Sequence, residues 1–258
     1  MQLASDRGIF LSQVRALTVA NLRARYRNTL AGFVWVALNP IVMFGVQSLV
    51  FSHFVKIDVP RFSLFLLTGL IPWIFISQSL DMCTPLFVNS GRVMKAFQIH
   101  PVVYLLAQLS DNAVNFFGTF LIGLATVWFF NPGSAVGLIL LPLPLFCLFV
   151  GVFGLAWLLA SVHVFFRDTK FIVSFVMTAT FYLTPVFYPR TFVPEKWSWV
   201  VDVNPLFRMI EPFRVALYDF SSERFVRSIF YSALTAAMLL LMATLFWKKK
   251  RNEIFLNV

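Results

Sequence analysis

Few side chains in this 258-residue sequence could do chemistry, and the arrangements that usually do it are missing. No G-x-x-x-x-G-K-[ST] stretch is present to cradle a nucleotide's phosphates, so the chain is not expected to hydrolyse ATP itself. H-E-x-x-H, G-x-S-x-G and any Cys/His cluster with metal-ligand spacing are also missing. Cys83 and Cys147 stand far apart in or beside apolar stretches, which suits neither a disulfide framework nor zinc. His53, His100 and His163 fall near the ends of such stretches on no shared face, as interfacial residues do. One polar cluster stands out: Asp111, Asn112 and Asn115 lie about 14 Å into an apolar segment, with Asp111 and Asn115 one turn apart. A carboxyl group there must be met by a partner or by water. It is a proton or ion site, an interhelical hydrogen-bonding group, or a residue near the interface of a span that starts later. The second feature is aromatic. Phe181, Tyr182, Phe187 and Tyr188 crowd residues 181–188, and their flat apolar faces could stack on the C–H surfaces of a sugar while letting it slide. The alternative is a belt of rings at the headgroup level.

Composition says what must position these groups. Hydrophobic residues make up 59 % of the chain and charged residues 12 %, with a mean hydropathy of +0.81. A soluble domain carries about twice that charge, so a soluble enzyme, a disordered chain and a nucleic-acid-binding chain are excluded. The expectation is an all-α integral membrane protein. Six segments meet the requirement of about 20 apolar residues: 33–55, 62–80, 102–130, 134–166, 171–189 and 227–247. The fourth is long enough to be one tilted helix or a broken pair. The net charge of +10 could mark an acidic partner, but Lys and Arg also gather in cytoplasmic loops. Six spans with both termini cytoplasmic place Arg7, Arg15, Arg23, Arg25, Arg27, Arg92, Lys95, Arg167, Lys170 and Lys248 to Arg251 inside.

Two segments do not read as spans. No cleavable leader shows in residues 1–27, so the first span is expected to act as its own insertion signal. Phe10, Val14, Leu17 and Ala24 recur there at helical spacing with arginines off the stripe, which fits either an interfacial amphipathic helix over 1–30 or a basic flank. Residues 190–226 are too charged to cross and too apolar for an ordinary loop. Pro194, Pro205 and Pro212 break the stretch into short apolar pieces, which favours re-entrant elements over an interfacial belt. The chain is thus one transmembrane domain: interfacial helix (1–30), five spans (33–189), re-entrant segment (190–226), sixth span (227–247) and cytoplasmic tail (248–258).

Five motifs then stand in order: RYRNTLAGFVWVALNP at 25–40, GLIPW at 69–73, VFFRD at 164–168, YLTPVFYP at 182–189 and VNPL at 203–206. In this order and spacing the chain resembles the permeases of type 2 ABC transporters that export polysaccharides. It is most similar to the O-antigen exporters, with capsule and teichoic-acid permeases nearby.

The resemblance implies a half-transporter that pairs as a homodimer in the bacterial inner membrane and recruits two separate ATP-binding subunits. ATP and Mg then belong to the partner, with no cofactor on this chain and no nucleic acid involved. The cargo implied is a polysaccharide on a polyprenyl-pyrophosphate anchor. Residues 89–101 match the family's coupling helix, with Arg92 and Lys95 at i,i+3 spacing and Ala96 where a second lysine is common. Arg167 and Asp168 are expected to pin the loop between the fourth and fifth spans. Arg25 and Arg27 would meet the pyrophosphate at the cytoplasmic mouth. Trp73, Phe181, Tyr182, Phe187 and Tyr188 would line the exit, and residues 190–226 would form its outward gate helices. The competing readings are a small-lipid or drug exporter of the same superfamily, an ion-coupled transporter using Asp111, a membrane scaffold, and a membrane-embedded enzyme.

Overall fold

A computed structural model describes residues 2–26, 34–54, 59–97, 99–130 and 135–257, and every regular element among them is helical. In order these are α1 (Gln2–Tyr26), α2 (Val34–Leu49) with a π-helical turn (Val50–Phe54), α3 (Phe62–Cys83), α4 (Leu86–Phe97) and α5 (Pro101–Phe130). They continue as α6 (Ala135–Leu140), α7 (Pro142–Phe165), α8 (Thr169–Leu183), two 3₁₀ turns (Arg190–Phe192 and Glu195–Trp197), α9 (Ser198–Val203), α10 (Pro205–Leu217) and α11 (Ser222–Asn257). Among the described residues, α3, α7 and α11 are long and apolar enough to cross a bilayer.

α3 sits at the centre because it has almost no polar side. Leu64, Leu66, Leu70, Ile76 and Leu80 are sealed from solvent, as a helix apolar all round requires. α2, α5, α7, α8 and α10 pack around it. The longest seam runs between α7 and α11 and depends on small residues. A Cβ at Gly154 would stand 2.6 Å from the backbone nitrogen of Leu240, and Gly151 faces Ala236. Such close approach is how helices adhere in lipid, where the hydrophobic effect does not drive them together.

Several boundaries differ from the sequence reading, each for a local reason. The long 134–166 segment is a broken pair: Leu141 turns and Pro142 opens α7, where its missing N–H costs nothing. α8 stops at Leu183, short of 189, because Thr184 is extended ahead of Pro185. α11 runs unbroken for 36 residues, so the 248–257 tail continues the helix. In α1 the stripe of Phe10, Val14 and Leu17 is half-buried while Ala24, Ile9 and Leu11 are exposed, so its apolar residues are not confined to one face.

The 190–226 segment is short helices packed on protein. Asn204 caps α10, its Oδ1 accepting from the N–H groups of Leu206 (2.9 Å) and Phe207 (3.4 Å), and Pro205 follows at the first helical position. The same Asn204 donates to Thr184 Oγ1 at 2.8 Å, tying two of the sequence motifs together. Leu206, Phe207, Met209, Ile210, Phe213 and Leu217 then bury one face of α10.

The helix ends sort onto two sides. On one, Trp247 of α11 meets Phe87 of α4, His100 and Trp157 of α7 at ring separations of 6.1, 5.7 and 5.8 Å. On the other, Tyr218 at the end of α10 donates to the carbonyl of Pro60 at 2.6 Å, and Arg61 donates back to the Tyr218 carbonyl at 2.9 Å.

Candidate functional site

A groove of about 500 Å³ opens between α2, α3 and α8. Helical periodicity fixes its walls. Trp73, Ser77 and Asp81 follow one another at i, i+4 and i+8 on α3 with Gln78 beside them, and Ser174 and Thr178 face them from α8. Thr178 turns its hydroxyl to the Ser174 carbonyl (3.0 Å), so the α8 wall offers hydroxyl oxygens on an otherwise apolar helix. Phe181 and Tyr182 close the end away from Asp81.

The aromatic residues picked from the sequence converge here. Trp73 lies 5.4 Å from Phe181, Phe181 lies 5.3 Å from Tyr182 and 5.4 Å from Phe187, and Phe187 lies 5.1 Å from Tyr188. Tyr188 donates to the Tyr182 carbonyl at 3.1 Å, which folds the 184–189 segment back on the end of α8. Their exposures differ. Trp73 and Phe187 are buried and act as backing, while Tyr182 is 64 % exposed and presents the open ring. Ser77, Gln78, Asp81, Ser174 and Thr178 escaped the sequence reading. The signal for Ser77 and Asp81 was the four-residue repeat that continues from Trp73; serine barely lowers the local hydropathy, and Asp81 falls one residue beyond the 62–80 segment.

Arg25 is elsewhere and already engaged. It forms an ion pair with Asp111 and donates to Asn112 Oδ1 at 3.0 Å, with Met82 Sδ at 3.1 Å. Gln108 donates to Asp111 at 3.3 Å, and Asn112 donates to Ser79 Oγ at 3.4 Å. The polar cluster of α5 therefore joins α1, α3 and α5, the interhelical role among the three open from sequence. Arg27 lies outside the described residues.

The remaining residues are on the opposite helix ends from the 190–226 segment. α4 buries Phe87, Gly91 and Met94 and turns Arg92 and Lys95 outward beside exposed Val93 and Phe97. Arg167 and Asp168 are exposed in the turn before α8 and, among the described residues, enter no ion pair. That turn is held by Thr169, whose hydroxyl donates to the Phe166 carbonyl at 2.6 Å.

Comparison with known proteins agrees over most of the chain. The sequence profile described as "ABC-2 type transporter" matches residues 12–218. An O-antigen export system permease protein, RfbA, of Klebsiella pneumoniae is 24 % identical over 215 residues, covering 83 % of each chain. RfbA of Myxococcus xanthus is 26 % identical over 220 residues, covering 84 % of this chain and 83 % of its own. The polysialic acid transport protein KpsM of Escherichia coli is 24 % identical over 214 residues, covering 79 % of this chain and 80 % of its own.

Proposed function

Since the chain belongs to the ABC-2 type transporter family, we propose that it is the permease of an ATP-driven exporter carrying a lipid-linked polysaccharide of the O-antigen kind. The groove between α2, α3 and α8 carries this reading. Ring faces at one end can hold sugar C–H surfaces, and the Ser77, Gln78, Ser174 and Thr178 side chains can exchange hydrogen bonds with sugar hydroxyls as the chain advances. Neither set binds strongly at one register, which suits a moving polymer.

A second copy completes the channel. A stripe containing Asp81 and Gln78 is costly against lipid, so it must face water or protein. In this reading each protomer has six spans, with both termini cytoplasmic in the bacterial inner membrane, and two ATP-binding subunits supply ATP and Mg. They dock on the outward residues of α4, Arg92 and Lys95, with the turn at Arg167 and Asp168 beside them. The diphosphate of a polyprenyl anchor is met at the cytoplasmic mouth by Arg27 and the part-exposed edge of Arg25. Asp81 in the groove wall, repeated in the second copy, disfavours a polyanionic glycan on that anchor.

The test reconstitutes the permease with its ATP-binding subunit in vesicles and follows protected lipid-linked glycan against ATP turnover. Tyr182→Ala should lower glycan transfer about tenfold while vanadate-sensitive hydrolysis persists, since one stacking platform contributes about 1–2 kcal/mol. Unchanged transfer by Tyr182→Ala would remove the groove from the path. A permease that binds no ATP-binding subunit would remove the exporter reading.

A further inference from the structure

The 190–227 segment carries Arg190, Lys196, Arg208, Arg214, Arg224 and Arg227, an excess of positive charge for a segment assigned above to the outside. Topology does not explain it, since the rule would deplete these residues there. The structure gathers all five arginines around one pocket of about 440 Å³ bounded by the 190–192 turn, α10 and the start of α11. Only Glu211 and Asp219 oppose them in its lining.

The acids are shared thinly. Asp202 pairs with both Arg190 (2.6 Å) and Arg208 (3.3 Å), and Glu211 pairs with Arg208 (3.3 Å). Arg224 pairs with Asp219 at 2.9 Å and Arg227 with Glu223 at 3.2 Å, both exposed. Arg214 forms no ion pair among the described residues. Its guanidinium stands 3.9 Å over the Phe65 ring, donates to the carbonyls of Pro185 (2.6 Å) and Val186 (2.7 Å), and leaves a buried Nε with no hydrogen-bond partner among them. The fold makes room for it: a Cβ at Gly69 would lie 2.5 Å from Arg214 Nη2. A fixed, part-buried cation of this kind is already organised for an oxyanion.

We propose that this pocket binds a phosphate oxyanion of the outer headgroup layer. Forked guanidinium donors match phosphate oxygens, and exposed Trp197 and Trp199 nearby in the chain are residue types that settle at that depth. The pocket gives a diphosphate anchor leaving the channel, or a phospholipid phosphate, a positive landing site. That it faces outward rests on the exporter reading; that it binds phosphate does not.

Full-length protein in nanodiscs, accessible from both faces and without its ATP-binding partner, is titrated with inorganic pyrophosphate, farnesyl diphosphate and farnesol. Both diphosphates are expected to bind, more weakly as salt rises, and farnesol is not. Arg224→Gln with Arg227→Gln, both on exposed side chains, should weaken binding about tenfold with an unchanged thermal midpoint. Arg214→Lys, which keeps the charge and loses the fork, should weaken it as well. Farnesyl diphosphate binding far more tightly than pyrophosphate assigns a lipid-borne phosphate, and equal affinities assign the free ion. No binding by either, or an affinity untouched by the double substitution, overturns the proposal. Failed export with intact binding counts against the transport reading alone.

Discussion

Removing the guanidinium of Arg25 would strand the Asp111 carboxylate, which is 1 % exposed, among apolar helices. Breaking such a pair from one side costs more than the pair contributes, here about 2–3 kcal/mol given that Arg25 is itself part-exposed. Arg25→Ala should therefore lower the thermal midpoint and yield of the purified protein, and Arg25→Gln with Asp111→Asn should restore most of the loss. A fully stable Arg25→Ala would show that the tie between α1 and α5 carries no weight. Asp111 was legible in the sequence as a charge where none belongs. Its partner was not, because nothing in the spacing of Arg25 and Asp111 says that α1 will lie along α5. The Arg214 site was equally hidden: its neighbours Gly69, Phe65 and Val186 come from two other segments.

At the scale of the helix, close approach governs. Gly154→Leu would drive a side chain into the Leu239–Leu240 backbone, where nothing flexible can yield. The cost should reach at least about 2 kcal/mol, read as a lower midpoint or loss of monodisperse protein. Gly8→Ala is the control, since nothing outside its own stretch of helix backbone lies within 4 Å of the added Cβ, and helix propensity alone should leave it neutral or slightly more stable. The three helices long enough to cross among the described residues, α3, α7 and α11, were readable because 20-residue apolar runs have few alternatives. Their ends were less so: the break at Leu141 and the run of α11 through 248–257 turn on Pro142 and on whether a basic tail stays hydrogen-bonded beyond the lipid. The VNPL motif could be recognised but not understood until Asn204 was seen capping α10 and reaching Thr184.

For the molecule as a whole, α2 and α8 leave one side open. Ile41, Val42 and Val46 on α2 and Phe171 and Phe175 on α8 are exposed, and exposed Met43 and Tyr182 of the same two helices line the groove with the polar stripe of α3. Exposed apolar residues alone would suit lipid; the adjacent Asp81 does not. A second copy seated there predicts that Phe175→Cys, with Cys83 and Cys147 replaced by Ala, forms a disulfide-linked dimer in native membranes under mild oxidation. The same cysteine on exposed Met238 of α11, far along the chain from that face, should stay monomeric. Equal cross-linking at both positions would refute a defined interface.

The junction around Trp247 gives the protein an optical reporter. Its indole sits 5.7 Å from the His100 imidazole and 6.1 Å from Phe87, where α4 meets the long α11. Burial holds the His100 pKa below the ordinary imidazole value. Imidazolium quenches indole emission, so fluorescence assigned to Trp247 by difference with Trp247→Phe should dim on acidification, with a midpoint below about 6.5. His100→Gln should abolish the step. Any subunit that tilts α4 as it docks would shift that titration, so engagement could be followed in unlabelled protein, in real time, by light alone.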